Sequence, residues 1–410
     1  MHFAVGDEMK NQNSLLTKAA FLSVSFVLTS AYAIQGALPQ LRDALGVSQT
    51  QAEYLATTPS FMVMFFVIAS PIISRLFKLS DKRMIQIGLT IVGIAGLVPF
   101  FISNYWVILV SRLALGIGLG LYNSQAIALI SIWYQGNTRS QMLGWRAAAE
   151  QLGQAGTLLV AGFLLTFGWH SSFLVYALAF AALVFFSLRV PDTDEVQLEE
   201  ETDAEDSQPN KTNYPEKVSP MVYVLAAFAF FLVVDFVGME NRFSSIAVAI
   251  NGSQYHGASM FLSLMLIGAT LGGLTYGWIQ EKLGFGTVYL GLGLMALSSF
   301  MFGFAGDNFV VMVIGLLLIG FPLQLVSPLI FNQLPNLAPL KWQSMATSLV
   351  LIGFNLGAFL SPSVAELINH LFGKPNEGLA LATPFPVYGI ILLVIAAGIY
   401  GYKKVSTSKS

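Results

Sequence analysis

The sequence predicts an all-α polytopic membrane protein with twelve transmembrane helices in two six-helix bundles. Three observations lead there. Charged residues are only 10 % of the 410 residues and hydrophobic ones are 55 %, whereas soluble domains carry about 25 % charged residues. The apolar residues gather into stretches of roughly 20, the length at which a helix crosses a bilayer. A polar, acidic segment divides these stretches six and six. A soluble chain this poor in charge would expose apolar surface it could not hide. Composition thus excludes an ordinary cytosolic enzyme, a disordered protein and a disulfide scaffold. There is no cysteine, hence no disulfide, thiolate nucleophile or Cys-ligated metal. No basic tract offers a surface for nucleic acid.

The spans are expected at 15–38, 52–74, 84–103, 106–133, 140–167, 171–189, 220–249, 257–279, 286–305, 309–333, 344–369 and 384–402. Backbone groups in lipid must be satisfied within their own segment, and no strand-like alternation is present, so each span is a helix. The first span has a second reading. Lys10 and Lys18 precede its apolar run, and Ala31-Tyr32-Ala33 resembles a signal-peptidase site. The run continues to Pro39, however, and removing it would leave eleven spans.

Orientation follows from lysine and arginine. With the N-terminus inside, fifteen basic residues fall on the cytoplasmic side, among them Lys18, Arg75, Lys78, Arg83, Arg139, Arg189 and Lys282. Only Arg42 and Lys374 fall outside. Both termini are therefore expected in the cytoplasm, in a multi-pass protein of the cell membrane. Ten of the 22 acids lie between Val190 and Ser219, a run too polar to order itself around a core. The expected organisation is a six-helix bundle at 1–189, an acidic cytoplasmic linker at 190–219 and a second bundle at 220–410.

The halves repeat. At an offset of 204, Asn104-Tyr105 falls on Asn308-Phe309, Gly116 on Gly320, and Gln151-Leu152-Gly153 on Asn355-Leu356-Gly357. Secondary transporters are often built from such duplications, with the substrate site between the halves.

These features resemble the major facilitator superfamily over nearly the whole chain. The family's loop signature between spans two and three, G-x-x-x-D-R-x-G-R-K, is kept here only in Arg75 and the basic residues after it. Its second-half copy, Gly277-Trp278-Ile279-Gln280-Glu281-Lys282-Leu283-Gly284, is better preserved. Arg75, Gly277, Glu281, Lys282 and Gly284 are thus expected to form a latch for one conformation. The span-four pattern R-x-x-x-G-x-G appears as Arg112 to Gly118, and the resemblance implies a part in proton coupling for Arg112. The span-five antiporter pattern is incomplete: Gly144, Gly153 and Gly162 are in register, but Thr157-Leu158 stands for Gly-Pro and Ala161 for a glycine.

An ionised side chain at the bilayer centre costs about 2.5–3.5 kcal/mol even on the milder scale, so each needs a partner or a watery cavity. In span seven, Asp235, Met239 and Arg242 share a face at i, i+4 and i+7, and Glu240 points elsewhere. Burial and a nearby guanidinium pull a carboxylate's protonation in opposite directions. Asp235 is therefore the first candidate proton carrier, and Asp235→Asn is expected to abolish proton-coupled movement. A structural ion pair is the alternative. In span four, Arg112 heads a polar face with Gly116 and Asn123, unless it snorkels to the outer interface. In span five, Arg146, Glu150, Gln154 and Thr157 form a stripe. Arg146 and Glu150 can pair along the helix, and Gln154 and Thr157 are expected to line a cavity.

The proton-coupling set is thus Asp235, Glu240, Arg112 and Glu150. The substrate-binding set is Arg242, Arg146, Gln154, Thr157, Tyr32, Gln35, Asn123, Met239, Gln324 and Asn355. Tyr32, Gln35, Gln324 and Asn355 could equally make interhelical hydrogen bonds. Glu53 and Glu366, near outer span ends, are expected to be solvated. The histidines have no metal-ligand spacing.

The leading expectation is a monomeric secondary active transporter. It works by alternating access, is driven by protons without a cofactor, and moves a small organic solute. Three arginines suit an organic anion and three acids a cationic drug; the sequence carries both. A multidrug or lipid exporter is the alternative, favoured by 32 Phe and 14 Met. A transport-like sensor is a remote one. No nucleotide-binding or hydrolase motif supports an enzyme.

Overall fold

The computed structural model describes residues 14–190, 217–339 and 342–407. The linker from 191 to 216 and Lys10, Lys211, Lys341 and Lys409 lie outside the described residues. Among the described residues, every regular element is helical.

The first span is broken. α1 (Leu15–Leu28) starts at Ser14, whose hydroxyl accepts from the Thr17 amide. It gives way to a 3-10 stretch, Ser30–Ala37, and then to α2 (Leu38–Leu45) with Pro39 in its first turn. The two parts are bent by 46°. Gly46, at φ 62, ends α2 in the left-handed conformation that glycine adopts without strain. Ser48 opens α3 (Gln49–Phe77) with a capping box shared with Gln51. The first half continues with α4 (Asp81–Phe101), α5 (Tyr105–Trp133), α6 (Gly136–Leu165) and a 3-10 stretch running into α7 (Leu178–Arg189). The second half holds α8 (Met221–Asn251), α9 (Ala258–Leu283), α10 (Gly286–Phe304), α11 (Phe309–Gln333), α12 (Gln343–Leu371) and α13 (Pro384–Thr407).

Among the described residues, ten helical segments are long and apolar enough to cross a membrane, or eleven if the bent first pair counts as one. Length and apolarity thus pick out ten or eleven of the twelve expected spans. The missing one is the fifth. At 30 residues α6 is long enough, but Arg146, Glu150, Gln151 and Gln154 dilute its apolar run.

Buried apolar side chains form two clusters. One gathers α1 to α7 around residues such as Leu38, Leu89, Leu119 and Phe173. The other gathers α8 to α13 around Leu232, Phe243, Phe302 and Phe385, and takes in Ala155 and Leu158 of α6. The 204-residue repeat has a physical counterpart. Asn104 and Asn308 both cap a helix, accepting from backbone amides of the first turn. Gly153 lies against the backbone of Phe26, and Gly357 against that of Phe230, 204 residues further on. Gly116 packs likewise on Pro59, and Gly320 on Met265. A Cβ at any of the four would run into neighbouring backbone, so glycine is what lets these helices approach.

The halves touch chiefly through α3 against α12 and α6 against α9. One face of the molecule carries the first and last described residues; the other carries the turns after Leu45, Leu165, Asn251 and Leu371. Among the described residues, the hydrogen bonds between halves run from the midplane toward this far face. Toward the terminal face, Gly144 of α6 and Gly273 and Gly277 of α9 have open space beside them. The hydrogen bonds that join the halves are therefore gathered from the midplane toward the far face, among the described residues.

Candidate functional site

The midplane seam is built from side chains of both halves. The 3-10 break in the first span brings Gln35 to α8, where Glu240, Asn241 and Arg242 follow one another, all four fully buried. Gln35 donates through Nε2 to Glu240 Oε2 at 3.2 Å and to Asn241 Oδ1 at 2.9 Å. Gln154 of α6 donates to Glu240 Oε1 at 3.3 Å. The Glu240 carboxylate is thus held by two amides of the opposite half. Ser244 donates to the Gln35 carbonyl at 2.8 Å.

One turn toward the far face lies a second cluster. Arg242 donates to the Leu381 carbonyl at 3.0 Å, to Asn369 Oδ1 at 3.4 Å and to Asn376 Oδ1 at 2.8 Å. Glu53 of α3 stands with Oε1 3.5 Å from its Nε. Gln49 donates to the same Oε1 at 2.8 Å. Asn376 reaches across to Thr50 at 2.9 Å, and Tyr54 meets Ser363 at 2.5 Å. This corrects one expectation: Glu53 is 1 % exposed, not solvated. α3 begins at Gln49 rather than 52, which moves Glu53 inside the seam. Glu366 is exposed, as expected.

Asp235 is also fully buried, but within the second half alone. Ser299 of α10 donates to both its oxygens, at 3.1 and 2.8 Å. Among the described residues, no guanidinium bonds to it. The shared face of Asp235, Met239 and Arg242 is real as helix geometry, but each finds a different neighbour; Met239 meets Ser298.

Arg112 does not snorkel. It is fully buried, and its nitrogens reach the Leu55 carbonyl at 2.6 Å, the Tyr176 hydroxyl at 2.6 Å and the Ala31 carbonyl. The Tyr176 ring lies 5.3 Å below the guanidinium. All these partners are neutral. They belong to the broken first span, α3 and the 3-10 stretch before α7. Arg112 is thus bonded to the backbone carbonyl of Ala31, within the 3-10 break.

Nearer the terminal face, Arg146 pairs with Glu150 at 2.6 Å and donates to Asn123 at 2.7 Å. The expected pairing along the helix is present and partly exposed. Thr157 differs from expectation. It is 1 % exposed and spends its hydroxyl on the carbonyls of Gly153 and Gln154, so it lines no cavity. Tyr32 bonds Ser60 at 2.7 Å, and Asn355 bonds the carbonyl of Leu351 in its own helix. Gln324 is half-buried in α11. Of the latch residues, Arg75, Gly277, Glu281 and Lys282 are exposed at the terminal face, Lys282 lies over the Trp278 ring, and Gly284 ends α9 at φ 54.

Gln49, Asn241, Asn369, Asn376 and Ser299 were not singled out by sequence, and Glu53 was expected only as a solvated residue. Asn241 had a visible signal: it lies between Glu240 and Arg242, and three successive polar residues cannot all face one side of a helix.

A family model described as the Major Facilitator Superfamily matches residues 20–362. A Bacillus subtilis (strain 168) protein, the uncharacterized MFS-type transporter YceJ, is 26 % identical over 330 residues, covering 78 % of this chain and 80 % of that one. Among solved structures, the xylose transporter XylE from E. coli in an inward-open conformation aligns with a TM-score of 0.71 at 15 % identity, covering 94 % of both chains. The nucleoside transporter NupG aligns with a TM-score of 0.71 at 12 % identity over 94 % of this chain and 100 % of that one. A POT peptide transporter aligns at 0.69 and 15 % identity over 94 % of each chain.

Proposed function

The chain belongs to the major facilitator superfamily, and from that premise we propose that it is a proton-coupled secondary active transporter of a small organic solute. The observation that carries this reading is Glu240, a buried carboxylate held across the seam by Gln35 and Gln154 of the other half. Parting the halves removes both amides and admits water. The carboxylate's hold on a proton must then change with the conformation, and that linkage is what couples a proton gradient to movement.

Asp235 is placed less well for this. Its Ser299 partner moves with it in the same bundle. Alternating access fits the geometry: hydrogen bonds that join the halves from the midplane toward one face only are what one end of such a cycle would keep. The excess of basic residues on the terminal face supports a cytoplasmic location for it. The exposed latch residues then await the opposite state. The reading is tested in proteoliposomes carrying a pH-sensitive dye inside, challenged with sugars, amino acids, nucleosides and organic acids. A solute-dependent change of lumen pH is expected for the parent protein and its loss for Glu240→Gln. No such change with any of the solutes refutes the reading.

A further inference from the structure

The Arg242–Glu53 pair is the ion pair that joins the two halves among the described residues, and it is poorly made. Both Nη1 protons of Arg242 have acceptors in Leu381 and Asn369, and Nη2 has one in Asn376. Nε has no hydrogen-bond partner, and neither has Oε2 of Glu53. The 3.5 Å from Nε to Oε1 leaves two charges side by side without a bond. Yet the Nε and Nη2 edge is one with which a guanidinium grips a carboxylate through two parallel hydrogen bonds. A buried pair is stabilising only when such bonds are complete.

This edge lies one residue layer below solvent. A cavity of ≈ 870 Å³ opens on the far face between the halves, lined by Arg42, Gln49, Ser245, Asn376 and Ala380 among others. Gln49 is bonded to Glu53 and Asn376 to Arg242. Arg42, at the same cavity, bonds Gln49 at 3.2 Å. A ligand in the cavity needs to displace only these amides to meet the guanidinium.

We propose that Arg242 is the docking point for a carboxylate of the transported solute, and that Glu53 holds its place while no solute is bound. One guanidinium neutralises one carboxylate, and a second ionised carboxylate beside it is repelled. The other groups acting on Glu53 do not relieve this: Glu366 of α12 adds negative charge, and Tyr388 of α13 is neutral. A proton taken from water by a Glu53 oxygen does. The solute carboxylate then takes the Nε and Nη2 edge in place of Asn376, Glu53 becomes a neutral acid, and Arg242 keeps its Nη1 bonds to Leu381 and Asn369. Proton and carboxylate bind together, one of each. This substrate class rests on the transport reading above, while the carboxylate site is testable without any transport.

The test uses the full chain in lipid nanodiscs with acetate as probe and acetamide as its uncharged counterpart, binding being read from the shift in thermal unfolding at pH 6 and pH 8. Acetate is expected to bind more tightly at pH 6, by up to about tenfold per pH unit for one linked proton. Acetamide is expected to have no such effect. Glu53→Gln should bind acetate equally at both pH values, and more tightly than the parent at pH 8 by at least the factor that separates the parent at pH 6 from the parent at pH 8. Arg242→Gln should lose the response. Absent or pH-independent acetate binding in the parent overturns the proposal, and so does an undiminished response in Arg242→Gln. The parent titration decides even where a variant fails to fold. Acetate binding without solute-driven pH change in liposomes would sink the transport reading alone; solute-driven pH change without acetate binding would sink this one alone.

Discussion

Replacing Gly357 by alanine sets two known effects against each other, and the structure decides the sign. In an exposed helix the change stabilises by about 1 kcal/mol, because alanine has the higher helix propensity. At Gly357 the new methyl meets the oxygen, carbonyl carbon and Cα of Phe230. These are backbone atoms of α8 and cannot rotate away, so α8 and α12 must separate where they pack most closely. Overpacking of this kind costs about 1–3 kcal/mol. With every contact on backbone, the upper part of that range applies, and the net loss is about 1–2 kcal/mol. For a bundle of this size each kcal/mol moves the melting temperature by about 2–4 °C, so a drop of about 2–8 °C is expected. Gly153→Ala should behave alike, since it meets Phe26 in the same way. Gly273→Ala faces open space and should raise the melting temperature by about 2–4 °C. Thermal unfolding of the three purified variants in detergent is the assay. A Gly357→Ala protein as stable as the parent, or a Gly273→Ala protein that falls with it, refutes the packing argument.

Two further outcomes follow from the buried charges. Arg112→Met strands the carbonyls of Ala31 and Leu55, while Tyr176 keeps its bond to the Ser30 carbonyl, and each buried unsatisfied group costs about 1–3 kcal/mol. Lower yield and a lower melting temperature are expected in fluorescence-detected size exclusion; normal stability with lost proton movement would instead make Arg112 a coupling residue. Asp235→Asn keeps an oxygen that can accept from Ser299, so proton movement at the parental rate is expected in dye-loaded liposomes. Its abolition would restore to Asp235 the role that its place in span seven suggested.

Much of the architecture was legible because hydropathy and length act locally. Span boundaries match the helices within a few residues, as at 309–333. The repeat was legible too, since Asn caps and close-approach glycines leave the same letters in both halves. Two features were harder. The polar stripe that makes α6 useful is the same one that hides it from an apolarity count. The break at Ser30–Ala37 is supported by Arg112, more than 70 residues away in sequence, and no local pattern carries that.

The site was legible as residue types but not as partners. Glu240, Arg242, Gln35 and Gln154 were all named, yet their pairings cross between halves. Periodicity places Arg242 on one face with Asp235, while the fold gives it Glu53 from α3. Glu53 was set aside because a helix end read from hydropathy falls where apolar residues stop. The real end is set by the Ser48 cap, one turn earlier. Thr157 shows the converse: a polar residue in a stripe can be satisfied by its own helix.

The most direct test of the account is lumen pH in proteoliposomes carrying the parent or Glu240→Gln, recorded as the solute panel is added outside. The account predicts that a solute which moves protons in the parent moves none in Glu240→Gln, although the variant still binds it. Proton movement at the parental rate in Glu240→Gln would contradict it.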